Sequence, residues 1–386
     1  MIIYKVSDNI ISALGFSSVE NYQAVKEGIT GLRCYEQGFG LPEMFVAALL
    51  DGEKLNDAFF DLPQKTKINY TRLEKAAILS VCKALADTNI NPCDDEVLFV
   101  FSTTKGNIEL LEGNNDYEFQ RIYLWRSAQL IAEYFGNKNQ PLVVSNACIS
   151  GVSAQIAAVR YLMAGRAKYA IVVGAEMLSK FIISGFQSFK ALSQQICKPF
   201  DKYRTGLNLG EAAATIIYAR AEQESMPTDR LIYENGALCN DANHISAPSR
   251  TGEGLFNAIT KTINGINKNE ISFINAHGTA TLYNDDMESV AIGRAELNNI
   301  PVNSLKAYFG HTLGAAGILE TVISAWALQD EVIIKSLGCD QTQLVSYLRV
   351  NRTVTASDKS KFLKLISGFG GSNAAILLSK YILQDA

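Results

Sequence analysis

Short apolar runs of strand length alternate with stretches of helical spacing along this chain, and that alternation restricts its possible folds more than any other feature. Residues 97–102, 142–145, 169–173 and 213–218 read as buried strands. A second series follows at residues 271–275, 301–304, 362–367 and 374–379, separated by helices such as residues 314–329. Strands apolar on both sides need helices over both faces, so the pattern predicts parallel α/β layering. Two such series predict two similar halves. The polar, turn-rich stretch 220–229 marks the boundary, placing the halves at residues 1–225 and 226–386, and the absence of a long Pro/Ser linker predicts that they pack as one unit.

Reactive residues stand just past the carboxyl ends of these strands, where open α/β sheets collect ligands. In Val143-Val144-Ser145-Asn146-Ala147-Cys148-Ile149-Ser150-Gly151 the apolar strand gives way to Val152, Ile156, Val159 and Leu162 at helical spacing, so Cys148 is expected in the first helical turn. Free backbone N–H groups and the helix dipole favour a thiolate there, which makes Cys148 a candidate acyl acceptor. His277 follows Ile274-Asn275-Ala276, and Gly368-Phe369-Gly370-Gly371 follows the strand around residues 363–366. A site at the seam of the halves would gather all three. His311 lies in Lys306-Ala307-Tyr308-Phe309-Gly310-His311-Thr312-Leu313-Gly314-Ala315-Ala316-Gly317, where Gly-Ala-Ala-Gly also reads as close helix packing. The remaining histidine of the three, His244, sits in a polar loop and reads as structural or near the entrance.

Composition removes several function classes. A net charge of −4 without a long basic run argues against nucleic acid as a partner. No apolar run approaches the ~20 residues that span a bilayer, and the first eight residues do not read as a signal peptide. The seven cysteines, at 34, 82, 93, 148, 197, 239 and 339, are odd in number and form no Cys-x-x-Cys pair, so a reduced, cytoplasmic protein is expected. No metal is expected either: Cys148, His277 and His311 lack compact ligand spacing, and the local signature of papain-like hydrolases is missing. Two histidines and a lysine suit a different task, donating hydrogen bonds to a thioester oxygen as it gains negative charge.

The residues resemble the β-ketoacyl-acyl carrier protein synthases, the decarboxylating condensing enzymes of the thiolase fold. The likeness runs through Asn146-Ala147-Cys148-Ile149-Ser150-Gly151, Val173-Gly174-Ala175-Glu176, Lys198-Pro199-Phe200-Asp201-Lys202-Tyr203-Arg204-Thr205-Gly206 with Gly210-Glu211, residues 275–281 with Asp285 and Glu288, residues 306–320, and residues 368–373. It implies an α/β, thiolase-like fold whose two halves give a layered α-β-α-β-α sandwich. It implies Cys148 as the nucleophile taking an acyl chain from a carrier thioester, and His277 and His311 as the pair holding the malonyl thioester carbonyl. The backbone N–H groups of Cys148 and Phe369 would form the oxyanion hole, with Phe369 also gating the acyl chain. Lys306 and its carboxylate partner Glu320 would shape the electrostatics, although a plain salt bridge is the alternative. Thr279 and Thr281 would bind the phosphopantetheine arm, with turn capping as the alternative.

No separate cofactor is implied, since phosphopantetheine arrives on the acyl carrier protein, loaded with an acyl or malonyl group. Lys65, Lys67 and Arg72 fall where relatives carry a basic cluster for that acidic partner. A homodimer is implied, a heterodimer being the alternative. Departures stand out: Ser367 where elongating synthases carry an aromatic residue, Ser7-Asp8-Asn9 for a glycine-rich turn, and a shortened 113–136 region rich in aromatic residues. They motivate a specialised polyene or polyketide ketosynthase as an alternative to fatty acid synthesis. A non-catalytic chain-length partner is disfavoured by the intact Cys148, His277 and His311, and a thiolase by His311.

Overall fold

Two five-strand sets of identical topology share one hydrogen-bonded order in the computed structural model, which describes residues 1–63, 67–113, 115–222, 226–227, 229–244 and 247–381. The first set holds β1 (Ile2–Ser12), β2 (Val97–Ser102), β3 (Leu142–Val144), β4 (Tyr169–Glu176) and β5 (Ala212–Ala221), ordered β3-β2-β4-β5-β1. The second holds β6 (Leu231–Asn240), β7 (Ile271–Asn275), β8 (Val302–Asn303), β9 (Lys361–Gly368) and β10 (Ser372–Lys380), ordered β8-β7-β9-β10-β6. The sets meet where Tyr4 of β1 pairs with Ile232 of β6. Neither β1 nor β6 stands out in the sequence as a strand.

The expected parallel layering needs one correction in each half. β5 runs antiparallel to β1 and β4, and β10 runs antiparallel to β6 and β9. For β10 the cause is plain: only Phe369, Gly370 and Gly371 separate it from β9, a hairpin length that cannot return a strand in parallel. Gly370 and Gly371 take φ of 82° and 72°, the left-handed conformation that glycine adopts without strain.

Seven helices matter here: α1 (Arg72–Leu85), α2 (Leu124–Tyr134), α3 (Ser150–Met163), α4 (Lys180–Ser188), α5 (Glu253–Thr262), α6 (Leu282–Arg294) and α7 (Ala316–Gln329). α1 opens on a capping box between Thr71 and Glu74 and lays Leu73, Ala76 and Ala77 toward the first set. α5 and α6 cover the second set through Leu255, Ile259, Met287 and Ile292. α3 and α7 lie between, touching strands of both sets, and α7 buries residues around nearly its whole circumference, as a helix between two sheets must. The result is five layers, α-β-α-β-α. No helix among the described residues is long and apolar enough to cross a membrane.

The two central helices cross at glycines. A Cβ on Gly317 would lie 2.5 Å from the Val152 nitrogen, and one on Gly151 would lie 3.0 Å from the Gly314 carbonyl oxygen, so Gly-Ala-Ala-Gly does serve close packing. Gly317→Ala is expected to destabilise the chain by about 1–3 kcal/mol, because backbone rather than a flexible side chain must move. A urea titration should show a lower midpoint with unchanged slope.

Candidate active site

Strands β3, β7 and β9 point their carboxyl ends toward one cavity of about 400 Å³, to which Cys148, His277, His311, Thr279, Thr281 and Phe369 contribute walls. One sulfur and two imidazoles, separated by up to 163 residues of chain, converge there: the Cys148 sulfur and one ring nitrogen from each of His277 and His311 all lie within 4.8 Å of one another. The two rings sit 5.0 Å apart, edge to face.

Cys148 reaches this position through a turn at Ala147, whose φ is 44°. Ser150 holds the turn closed, its hydroxyl accepting from the Asn146 N–H at 2.7 Å and donating to the Ala147 carbonyl at 2.6 Å. The helix begins only at Ser150, so Cys148 stands two residues ahead of α3 instead of in its first turn. The expected resting thiolate is also corrected. Burial pushes the Cys148 thiol up to about 11, outweighing the Lys306 ammonium and the Phe369 backbone N–H that pull it down. Alkylation by iodoacetamide should therefore be slow at pH 7 and rise about tenfold per pH unit up to pH 10, since the thiolate is the reacting form. A rate that levels off near pH 8 would contradict this environment.

His277 is placed by Glu288 on α6, whose two carboxylate oxygens each accept a backbone N–H, from His277 and from Gly278, both at 2.7 Å. Gly278 has φ of 46°, and a Cβ there would lie 2.4 Å from Ser304 Cβ, so the turn admits no larger residue. His311 is placed by its backbone N–H, which donates to the Asn208 carbonyl at 2.7 Å, while its Nδ1 accepts from the Leu313 N–H at 3.3 Å. An imidazole accepting at Nδ1 carries its proton on Nε2 when neutral. His311 Nε2 and His277 Nδ1 are buried without a protein partner. Both histidines are held well below the usual imidazole range, first by burial and then by the Lys306 ammonium. The site thus offers neutral imidazoles.

Lys306 and Glu320 form a fully buried ion pair. The sequence reading misses that Lys364 of β9 binds the same carboxylate, so Glu320 carries two lysines, and their positive field holds its carboxyl below the usual range despite burial. This neighbourhood opposes a metal cation, although the sulfur and imidazoles come as close as metal ligands do.

Thr281 occupies the N-cap position of α6 but its side chain makes no capping bond; its hydroxyl lies 2.9 Å from that of Thr279. Both therefore face the cavity as a polar pair. Phe369 lies between Phe186, stacked at 5.9 Å and 25°, and Phe189, edge-on at 5.4 Å and 64°. Ser367 lines the cavity and donates to Asn373 Oδ1 at 2.7 Å. Gly368 is pressed against the nucleophile turn, a Cβ there falling 3.1 Å from the Cys148 nitrogen. Glu176 ties the surrounding loops by accepting N–H groups from Thr104 at 2.8 Å and Gly314 at 2.9 Å. His244 does not line the cavity, but its Nδ1 accepts from the N–H of Ala247, which does.

Of the basic residues expected on the surface, Lys65 lies outside the described residues and Lys67 is exposed. Arg72 is exposed as well, and its guanidinium also reaches the buried Glu211 carboxylate at 3.0 Å.

The sequence matches the family profiles described as Beta-ketoacyl synthase, N-terminal domain, over residues 41–224, and Beta-ketoacyl synthase, C-terminal domain, over residues 232–340. It is 31% identical over 262 residues to 3-oxoacyl-[acyl-carrier-protein] synthase 2 of Rhizobium meliloti, covering 62% of this chain and 60% of that protein. It is 24% identical to a putative mitochondrial 3-oxoacyl-[acyl-carrier-protein] synthase of Schizosaccharomyces pombe, covering 92% of this chain and 93% of that one. Among solved structures, it is similar to the ishigamide ketosynthase/chain length factor, with TM-score 0.88, 23% identity and 99% of both chains covered. It is also similar to the Xenorhabdus doucetiae ketosynthase ApeO in complex with its chain length factor ApeC, with TM-score 0.83, 24% identity and 98% of both chains covered. At these identities the structural likeness establishes the thiolase-like fold.

Proposed function

The chain belongs to the β-ketoacyl synthase family, and from that premise we propose that it catalyses decarboxylative condensation of an acyl group with a malonyl group carried on acyl carrier protein. The convergence of Cys148, His277 and His311 within 4.8 Å carries this reading. Cys148 attacks the acyl-carrier thioester; the carrier thiol leaves with the cysteine proton, and the acyl group stays on sulfur. The N–H groups of Cys148 and Phe369 receive the oxyanion of this step, a contact worth about 3 kcal/mol per donor.

Malonyl thioester then enters with its carbonyl oxygen against the two imidazoles. Loss of carbon dioxide leaves an enolate, which the Nε2–H of His311 is oriented to receive. Its carbon attacks the acyl-cysteine, giving the β-ketoacyl thioester on the carrier and returning the thiolate, which takes up a proton. Thr279 and Thr281 hold the phosphopantetheine arm at the cavity wall. No bound cofactor or metal enters this scheme.

The fatty acid pathway and a specialised polyene or polyketide pathway share these steps. Ser367 in place of an aromatic residue, and the aromatic clamp on Phe369, favour an unusual acyl chain. Exposed aromatic residues Phe119, Tyr123 and Trp125 support an association surface, either in a homodimer or with a second ketosynthase-like subunit. Incubation of the purified protein with malonyl-carrier protein and saturated, unsaturated and aromatic acyl-carrier primers tests the reading. Elongation by two carbons with an acyl adduct on Cys148 supports it; no adduct with any primer sinks it.

A further inference from the structure

A charged residue on a central strand needs a reason, and β9 carries one. Phe362, Lys364 and Ile366 share the face toward the central helices, where Phe362 and Ile366 join the apolar core. Lys364 is fully buried between them. Burying an ammonium is costly unless it is paired. Its partner is Glu320 of α7, already bound by Lys306, so one carboxylate neutralises only one of two cations. The surplus charge lies behind the catalytic cavity: Lys364 pairs in register with Asn275, two residues before His277. An isolated structural pair would have no need of the third member.

Resting on the condensation reading, the geometry points to Lys364 as a positioning residue for decarboxylation: through Glu320 it fixes Lys306, and it adds a second buried cation behind His277 and His311, the hydrogen-bond partners for the enolate. The charged and titratable groups facing it are Glu320 from α7, Lys306 from the turn after β8, Glu288 from α6 and the two imidazoles. Burial lowers the Lys364 ammonium to about 8, so it is charged throughout the acidic range in which histidines ordinarily protonate. Both imidazoles feel it as a like charge.

Lys364→Gln removes the charge but keeps a hydrogen-bond donor for Glu320, which retains Lys306 and is not orphaned. Loss of a neighbouring cation raises an imidazole pKa, so the titration midpoints of His277 and His311, read by NMR, should rise by about one unit. The acid limb of malonyl-carrier decarboxylation should move up by the same amount, while acyl loading of Cys148 stays within about twofold. Lys364→Arg should restore the wild-type midpoints, and Lys364→Met should reproduce Gln. Unchanged midpoints in either neutral variant overturn the proposal, as does a chain that folds with Arg but with neither neutral residue, which would mark a purely structural pair. Failure of the wild-type protein to decarboxylate malonyl-carrier would instead strike at the condensation reading, leaving the titrations to judge Lys364.

Discussion

Cys148→Ala is expected to lower condensation by about 10⁴-fold or more, the scale seen when the nucleophile of a cooperating set is removed. The loss should be complete in one specific readout: intact-protein mass spectrometry after incubation with acyl-carrier protein should show no acyl adduct. No other thiol can substitute. Among the remaining cysteines none lines the cavity, and Cys197 and Cys339 are buried elsewhere, with burial pushing the Cys339 thiol up to about 11. Decarboxylation of malonyl-carrier protein should survive in this variant, because the proposed scheme assigns that step to His277 and His311. Normal product formation by Cys148→Ala would contradict the assignment, and an equal loss of decarboxylation would place the cysteine in both steps.

The parts of this site that are legible in the sequence are those that occupy strand ends. Cys148, His277 and the Gly-Phe-Gly-Gly loop each follow an apolar run, and open α/β sheets bring such ends together. Burial is what the sequence conceals. It shows a helix beginning after Cys148, yet the thiol's ionisation is decided by burial among residues distant in the chain, such as Leu41 and Leu313. Strand direction is hidden for a related reason: the alanine-rich β5 is buried on both faces, and a continuous apolar run reads alike in either direction. Lys364 is the clearest case of an illegible residue. Within Phe362-Leu363-Lys364-Leu365 a lysine looks like a solvent-facing position, and only the packing of α7 over β9 discloses its partner. Arg72 is exposed as a surface charge should be, but its ion pair with buried Glu211, 139 residues away, is equally invisible in the sequence.

His311→Ala and His277→Ala are each expected to reduce decarboxylative condensation by about 10²–10³-fold, the cost of deleting one preorganised donor to a developing oxyanion. Acyl loading of Cys148 should persist, which separates these variants from Cys148→Ala. The reason is the allocation of hydrogen bonds. In the proposed scheme the acyl oxyanion is served by backbone N–H groups that neither substitution removes, whereas the enolate oxygen is held by the imidazoles, whose His311 Nε2 and His277 Nδ1 are buried without a protein partner. His311→Ala should show the larger loss, since the Leu313 N–H fixes its Nε2 as a donor toward the cavity, while no comparable bond orients the His277 ring. His311→Gln, which can still present an N–H, should recover part of the activity. Single-turnover assays with preloaded acyl-enzyme and malonyl-carrier protein isolate the step; if both variants condense at wild-type rates, the imidazoles do not hold the enolate. If both also fail to load Cys148, they serve the thiol and not the malonyl group.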